Sequence, residues 1–316
     1  MSEITRRDFI LQSSLAAGAF AAGRPAFAEG RVPGDTKRMT LGFSTYGMKK
    51  LKTERALDLI ADTGYDAVEI TVWPGWDAEP GNVDKARRAR LKKQLSNRKL
   101  KLTSLMEHVY PPADDAQHKK DLERFRGVFQ LAQDLADGEP PVVQTVLGGG
   151  RFEDKKKMIV DRVGDWVELG KKHGIVTCIK PHRGGCVSQP SEGIQILKQL
   201  AEPKWVRMVY DYSHYIFRDI DFVESIRQSL PYIGHVAIKD TIRKGNSTAF
   251  VLPGEAGTID FVTLLKELAK GRYTGDISCE VSGMVSGKPG YDPVKAVETC
   301  YSNIAPMFKK AGLKRG

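Results

Sequence analysis

From residue 39 onward, short β-type runs alternate with longer stretches whose apolar positions recur at helical spacing, eight times over. The first run is Met39–Ser44, followed by a helix expected from an N-cap at Thr53 to a stop at Gly64. The second, Ala67–Thr71, precedes a basic helix around Asp84 to Lys99. The third, Leu102–Met106, leads into a helix from about Gln117 to Asp137, with Leu122, Phe125, Phe129 and Ala132 on one face. The fourth, Val142–Leu147, turns at Gly148-Gly149-Gly150 into a helix ending at Lys172. The fifth and sixth, Ile175–Ile179 and Val206–Tyr210, carry helices over Ser191–Leu200 and Phe222–Leu230. The seventh, Ile233–Ile238, is followed by a long loop and a helix presenting Phe261, Leu264, Leu265 and Leu268. The eighth, Asp276–Val281, is closed by a helix from about Asp292 to Lys310.

Eight strand–helix units in a row predict an α/β fold closed as a single-domain (β/α)8 TIM barrel, rather than an open doubly wound sheet. No GxGxxG follows the first strand, so a dinucleotide fold is not indicated. The triple glycine after the fourth strand is a turn, with only a weak signal for a phosphate cradle. No linker divides the chain.

The N-terminus departs from this rhythm. Thr5-Arg6-Arg7-Asp8-Phe9-Ile10 matches a twin-arginine export signal, a moderately apolar stretch follows to Ala22, and Ala26-Phe27-Ala28 suits a signal peptidase. The expected division is therefore residues 1–28 as signal and 29–316 as barrel, with a periplasmic, exported location. The apolar stretch is too short to span a bilayer of about 30 Å, so no stable membrane anchor is expected. The formal charge of +10 permits acidic partners, but the lysines are spread over helix faces, as at Lys119/Lys120, Lys155 to Lys157 and Lys171/Lys172. Solvated helix surface is the better reading, and no nucleic-acid partner is expected. The four cysteines show no CxxC spacing and suggest neither a zinc knuckle nor a disulfide framework.

In such a barrel, polar residues at strand C-termini point into the mouth. Here ionisable groups end six of the eight strands: Glu69; Glu107 and His108; Lys180 and His182; Asp211 and His214; Lys239, Asp240 and Arg243; and Glu280. Burying that many without internal pairing or a ligand is costly. Convergence on one site is the inference. Tyr46, Trp73, Trp76, Tyr110, Tyr212 and Tyr215 lie in or near the same loops, either as sugar-stacking platforms or as rim packing.

Asp211-Tyr212-Ser213-His214, His235-Val236-Ala237-Ile238-Lys239-Asp240, Gly254-Glu255-Ala256-Gly257-Thr258-Ile259-Asp260 and Glu280 resemble the xylose-isomerase-like barrels. That superfamily includes tagatose and psicose epimerases, hydroxypyruvate isomerase, inosose dehydratase and endonuclease IV. The resemblance spans essentially the whole mature chain. It implies a divalent ion held by Glu, Asp, His and Glu from strands five to eight. Asp211 and Glu280 match two of those ligands, while Lys180 and Ala237 stand at the other two. An ammonium donates and does not coordinate. No cofactor is therefore expected, with a metal at Asp211 and Glu280 left open should His182 or His235 compensate. His214 and Arg243 match positions that the resemblance assigns to substrate hydroxyls.

Three readings follow. In the first, a keto sugar or sugar derivative is isomerised, epimerised or dehydrated, with Lys180 in place of the ion, Glu280 as base and His214 or His182 as a second acid or base. Asp211, His182, Arg243, Lys239, Glu69, Glu107 and His108 would then bind the substrate. In the second, the barrel only binds carbohydrate. The third, a phosphodiesterase on DNA, is disfavoured, because that chemistry uses many histidine ligands and the chain has six histidines. The partner expected is a small carbohydrate, with an oligomer left open.

Overall fold

The computed structural model describes residues 38–244 and 247–316, so the expected signal at 1–28 and the start of the expected domain lie outside the described residues. Eight parallel strands close into a barrel: β1 (Thr40–Ser44), β2 (Ala67–Thr71), β3 (Lys101–Met106), β4 (Val142–Val146), β5 (Thr177–Lys180), β6 (Val206–Tyr210), β7 (Ile233–Ile238) and β10 (Asp276–Cys279). Closure joins β1 to β10 through Thr40–Asp276 and Phe43–Cys279 pairing. The remaining strands, β8 (Asp240–Lys244) and β9 (Ser247–Val251), form an antiparallel hairpin where a long loop was expected. That corrects the sequence reading. The hairpin stands over the mouth, as its contacts below show.

Outside the barrel lie α1 (Thr53–Thr63), α2 (Lys85–Asn97), α3 (Asp115–Leu135), α4 (Phe152–His173), α5 (Pro190–Leu200), α6 (Phe222–Ser229), α7 (Phe261–Lys270) and α9 (Pro293–Lys310); the short α8 (Gly283–Ser286) follows β10. Their ends follow local chemistry. Asp114, Asp221 and Asp260 cap α3, α6 and α7 by accepting backbone N–H bonds. Gly64 ends α1 at φ 102°, where a side chain would be strained. Thr53 is not the cap expected of it: it is the first helical residue, and Asp77 accepts its N–H at 2.9 Å. Among the described residues no helix is long and apolar enough to cross a membrane.

Two cores result. The large one lies between the strands and the helices and includes Phe43, Ile70, Phe129, Trp166, Ile179, Met208, Leu264 and Ile277. The other, inside the barrel, is a small patch of Cys178, Val209 and Ala237. Strand side chains alternate in direction, so residues two further along share this inward face. Those residues are Lys180, Asp211 and Lys239. The interior of this barrel is mostly polar, where branched apolar layers are usual.

Candidate functional site

The inward polar residues sort into tiers. Lowest, Asp276 accepts hydrogen bonds from the Thr40 hydroxyl at 2.8 Å and the Thr103 hydroxyl at 3.0 Å. Its carboxyl is pushed up to about 6 by burial. Above it, Glu69 accepts a bond from Gln144 Nε2 at 2.7 Å and lies 3.2 Å from His235 Nε2. Burial opposes the Glu69 charge, but His235 outweighs it and brings the pKa down to about 2. Glu69 raises His235 in return, against burial. The Glu69 side chain is fully buried and lies within the barrel rather than at its mouth.

The top tier is a ring of four charges. Lys180 Nζ lies 2.6 Å from Glu280 Oε2 and 3.0 Å from Asp211 Oδ2. Lys239 Nζ lies 2.8 Å from Glu280 Oε1 and 2.5 Å from Asp211 Oδ2. Ser213 donates to the other Asp211 oxygen at 2.5 Å. None of these side chains is more than 7% exposed. Burial disfavours charge here, yet for Lys180, Asp211 and Glu280 the mutual attraction wins. Lys180 is held above the usual lysine range by Glu280 and Asp211, Asp211 well below the carboxylate range by Lys239 and Lys180, and Glu280 below it by Lys180 and Lys239.

Two histidines cover the ring, their centroids 4.0 Å apart. His214 Nδ1 accepts the Arg183 backbone N–H at 3.2 Å, which leaves its proton on Nε2, 3.4 Å from Asp211 Oδ2. Nδ1 is thus committed, while Nε2 is buried close to Asp211 without a hydrogen bond. His182 forms its hydrogen bonds through the backbone, to Val187 and Gly185, and its ring nitrogens stay open. Burial and the ammoniums of Lys180 and Lys239 lower it to about 4, so it is neutral at pH 7.

Other expected site residues are placed elsewhere. Arg243 sits on the hairpin, 66% exposed and 3.9 Å from Asp219, so the structure does not bring it to the ring. Glu107 is buried against Arg124 at 2.8 Å and accepts the His108 N–H at 2.7 Å, which ties it into the wall. His108 joins an aromatic side wall, hydrogen-bonding Tyr110 and meeting Trp73 at 3.8 Å between centroids. Tyr46 continues that wall, 5.0 Å from Trp73 and 5.8 Å from Trp76. Its hydroxyl is raised by burial and by Glu280, which places the phenol within the field of the charged ring. Sequence reading had singled out Tyr46 only as one of several aromatics.

A family model for xylose isomerase-like TIM barrels matches residues 57–299. The chain belongs to that family. Inosose dehydratase of Clostridium perfringens is 23% identical over 219 residues, covering 60% of this chain and 72% of the relative. Among solved structures, a zinc-bound IOLI protein overlays with a TM-score of 0.72 at 19% identity, covering 86% of this chain and 99% of that one. D-psicose 3-epimerase of Clostridium cellulolyticum with D-tagatose overlays at 0.65 and 14% identity, covering 86% and 96%. Among the described residues no three His, Cys, Asp or Glu side chains gather as a ligand set.

Proposed function

We propose that the protein is an exported enzyme that removes a proton beside the carbonyl of a keto sugar or sugar derivative, and so isomerises, epimerises or dehydrates it. The observation carrying this is the pair of buried ammoniums, Lys180 and Lys239, clasped between Asp211 and Glu280 at the mouth of the barrel. Inosose dehydratase and D-psicose 3-epimerase, both relatives in fold, are named for reactions of polyhydroxylated carbonyl compounds.

The donor set does not fit a divalent ion. Two carboxylates point inward, but three of their four oxygens accept from ammoniums and the fourth from Ser213, and Ala237 offers no ligand. The proposal therefore runs without a metal. A carbonyl oxygen over the lysines gains negative charge as the neighbouring C–H bond breaks, and fixed donors in a dry site stabilise that charge. Glu280, expected from sequence as the base, is a poor one, because both oxygens accept from ammoniums and its pKa is depressed. His182 takes the proton instead, its nitrogens open and its imidazole within the field of the same four charges. The electron pair moves to the carbonyl oxygen as an enediolate. Protonated His182 then returns the proton to carbon or delivers it to a departing hydroxyl as water. His214, anchored at Nδ1 by the Arg183 backbone N–H and set 3.4 Å from Asp211, orients the ring below it.

The test is deuterium wash-in from D2O, followed by proton NMR on D-fructose, D-tagatose and scyllo-inosose with chelator present. Wild type should exchange, and Lys180→Met and His182→Gln should each lose about 100-fold or more. A second reading, a carbohydrate-binding barrel without turnover, is favoured by one fact: the two ammoniums and two carboxylates of the ring balance one another. Binding of the sugars with no exchange in wild type would establish it and remove the enzyme reading. Export rests on Thr5–Ile10 and Ala26–Ala28, and the mass of the periplasmic protein should show cleavage after Ala28.

A further inference from the structure

The ring of Lys180, Lys239, Asp211 and Glu280 is balanced, and the two histidines above it are neutral at pH 7. One charge beside it is not balanced. Arg183 follows His182 directly, and its backbone N–H positions His214. Its side chain is half-buried and held in place: NH1 donates to Thr248 O on the hairpin at 2.7 Å, and the guanidinium packs 4.5 Å from the Phe217 ring. Among the described residues no carboxylate lies within ion-pairing distance of it. The contrast with other half-buried arginines is plain, since Arg87, Arg88 and Arg124 each hold a carboxylate, and Arg207 donates to two carbonyls.

The position ties this cation to the site. The Phe250 ring lies 6.0 Å from the Arg183 guanidinium and 5.7 Å from Lys239 Nζ, so the two cations neighbour the same aromatic ring. With NH1 engaged by Thr248, the Nε–NH2 edge of Arg183 is left as two parallel donors. That edge matches the two oxygens of a carboxylate. We propose that the substrate is a keto acid sugar, its carboxylate held by the free edge of Arg183 while its carbonyl lies over the lysines. This rests on the proposed chemistry for where the carbonyl sits. The stacked, tethered guanidinium is already ordered before binding, which limits the entropy lost on pairing.

The test measures affinities by calorimetry for 5-keto-D-gluconate, neutral D-fructose and D-fructose 6-phosphate. Wild type should bind the keto acid roughly 10- to 100-fold more tightly than D-fructose, the span of one hydrogen-bonded charge pair. In Arg183→Met that ratio should fall to about 1 with fructose affinity unchanged, and Arg183→Lys, which keeps charge but loses the fork, should retain part of it. An unchanged ratio in Arg183→Met, tighter binding of fructose than of the keto acid, or a preference for the phosphate over the carboxylate would each overturn the assignment. Deuterium wash-in separates the two claims: a keto-acid preference lost in Arg183→Met, with no exchange, would keep Arg183 in its role and remove the chemistry above it.

Discussion

Replacing Lys180 by Met removes one positive charge from the ring and keeps most of the volume. Asp211 and Glu280 then share Lys239 alone, and one negative charge is left over in a fully buried setting. Breaking a buried pair in this way costs about 3–5 kcal/mol. Protonation offers an escape that sets a scale. A carboxyl with an ordinary pKa of 4.5 is made to carry a proton at pH 7 for about 3.4 kcal/mol, but at pH 4.5 for only about 0.4 kcal/mol. The sign then follows. In wild type the folded pKa of Glu280 is depressed, so its contribution is present above pH 4.5 and lost as pH falls through the lower folded value. In the variant the folded pKa is raised, so stability is lost as pH rises from 4.5 toward 7. The variant should therefore melt roughly 6–15 °C below wild type at pH 7, and the gap should shrink by more than half at pH 4.5. Differential scanning calorimetry at the two pH values reads both numbers. A gap under about 2 °C at pH 7, or one that widens on acidification, would refute the reasoning, because the lysine would then not be neutralising buried acids.

Three further outcomes follow from the same geometry. If His182 carries the proton, turnover should fall on the acid side with a limb near its pKa of about 4, and Lys180→Met should move that limb upward by removing a neighbouring cation; a limb insensitive to that change would count against His182. Lys180→Glu combined with Ala237→His supplies two missing donors beside Asp211 and Glu280, and manganese should bind stoichiometrically by EPR after this change and not before it; equal binding by wild type would show that the lysines do not exclude the ion. Gly42→Ala would place its Cβ 2.3 Å from Asp276 Oδ2 in the lowest tier, so it should cost several kcal/mol in chemical unfolding, and a cost below about 1 kcal/mol would mean that this tier yields easily.

The barrel was legible because each strand has to bury both faces, which marks it as a continuous apolar or branched run. The expected bounds of β2, β6 and β7 coincide with the observed ones. The fifth strand starts two residues later than expected, and the reason is local: the Ile175 N–H bonds back to Gly170 O at 2.9 Å, so that residue terminates α4 instead of opening β5. The hairpin after β7 was missed because its first strand, β8, carries Asp240, Arg243 and Lys244, although Gly245-Asn246 between two β-type runs is a turn signal. Arg183 carried no signal at all. It lies in a loop without periodicity, and its anchors, Phe217 and Thr248, come from loop and hairpin far along the chain.

The charged ring shows where such reading stops and why. Alternation from His235 through Ala237 already places Lys239 on the inward face, and position alone puts Lys180, Asp211 and Glu280 at strand ends. What no local pattern supplies is which charge meets which. Lys180 and Glu280 are 100 residues apart, and they touch only because the barrel closes. A divalent ion would bring two positive charges from solution; here two lysines bring the same sum on covalent tethers, from β5 and from the end of β7. Binding of an ion can be lost while a fold persists. In this chain the positive centre is part of the interior, so the charge balance that holds the barrel and the field that would stabilise an enediolate are one arrangement, and a substitution cannot remove the second without loading the first.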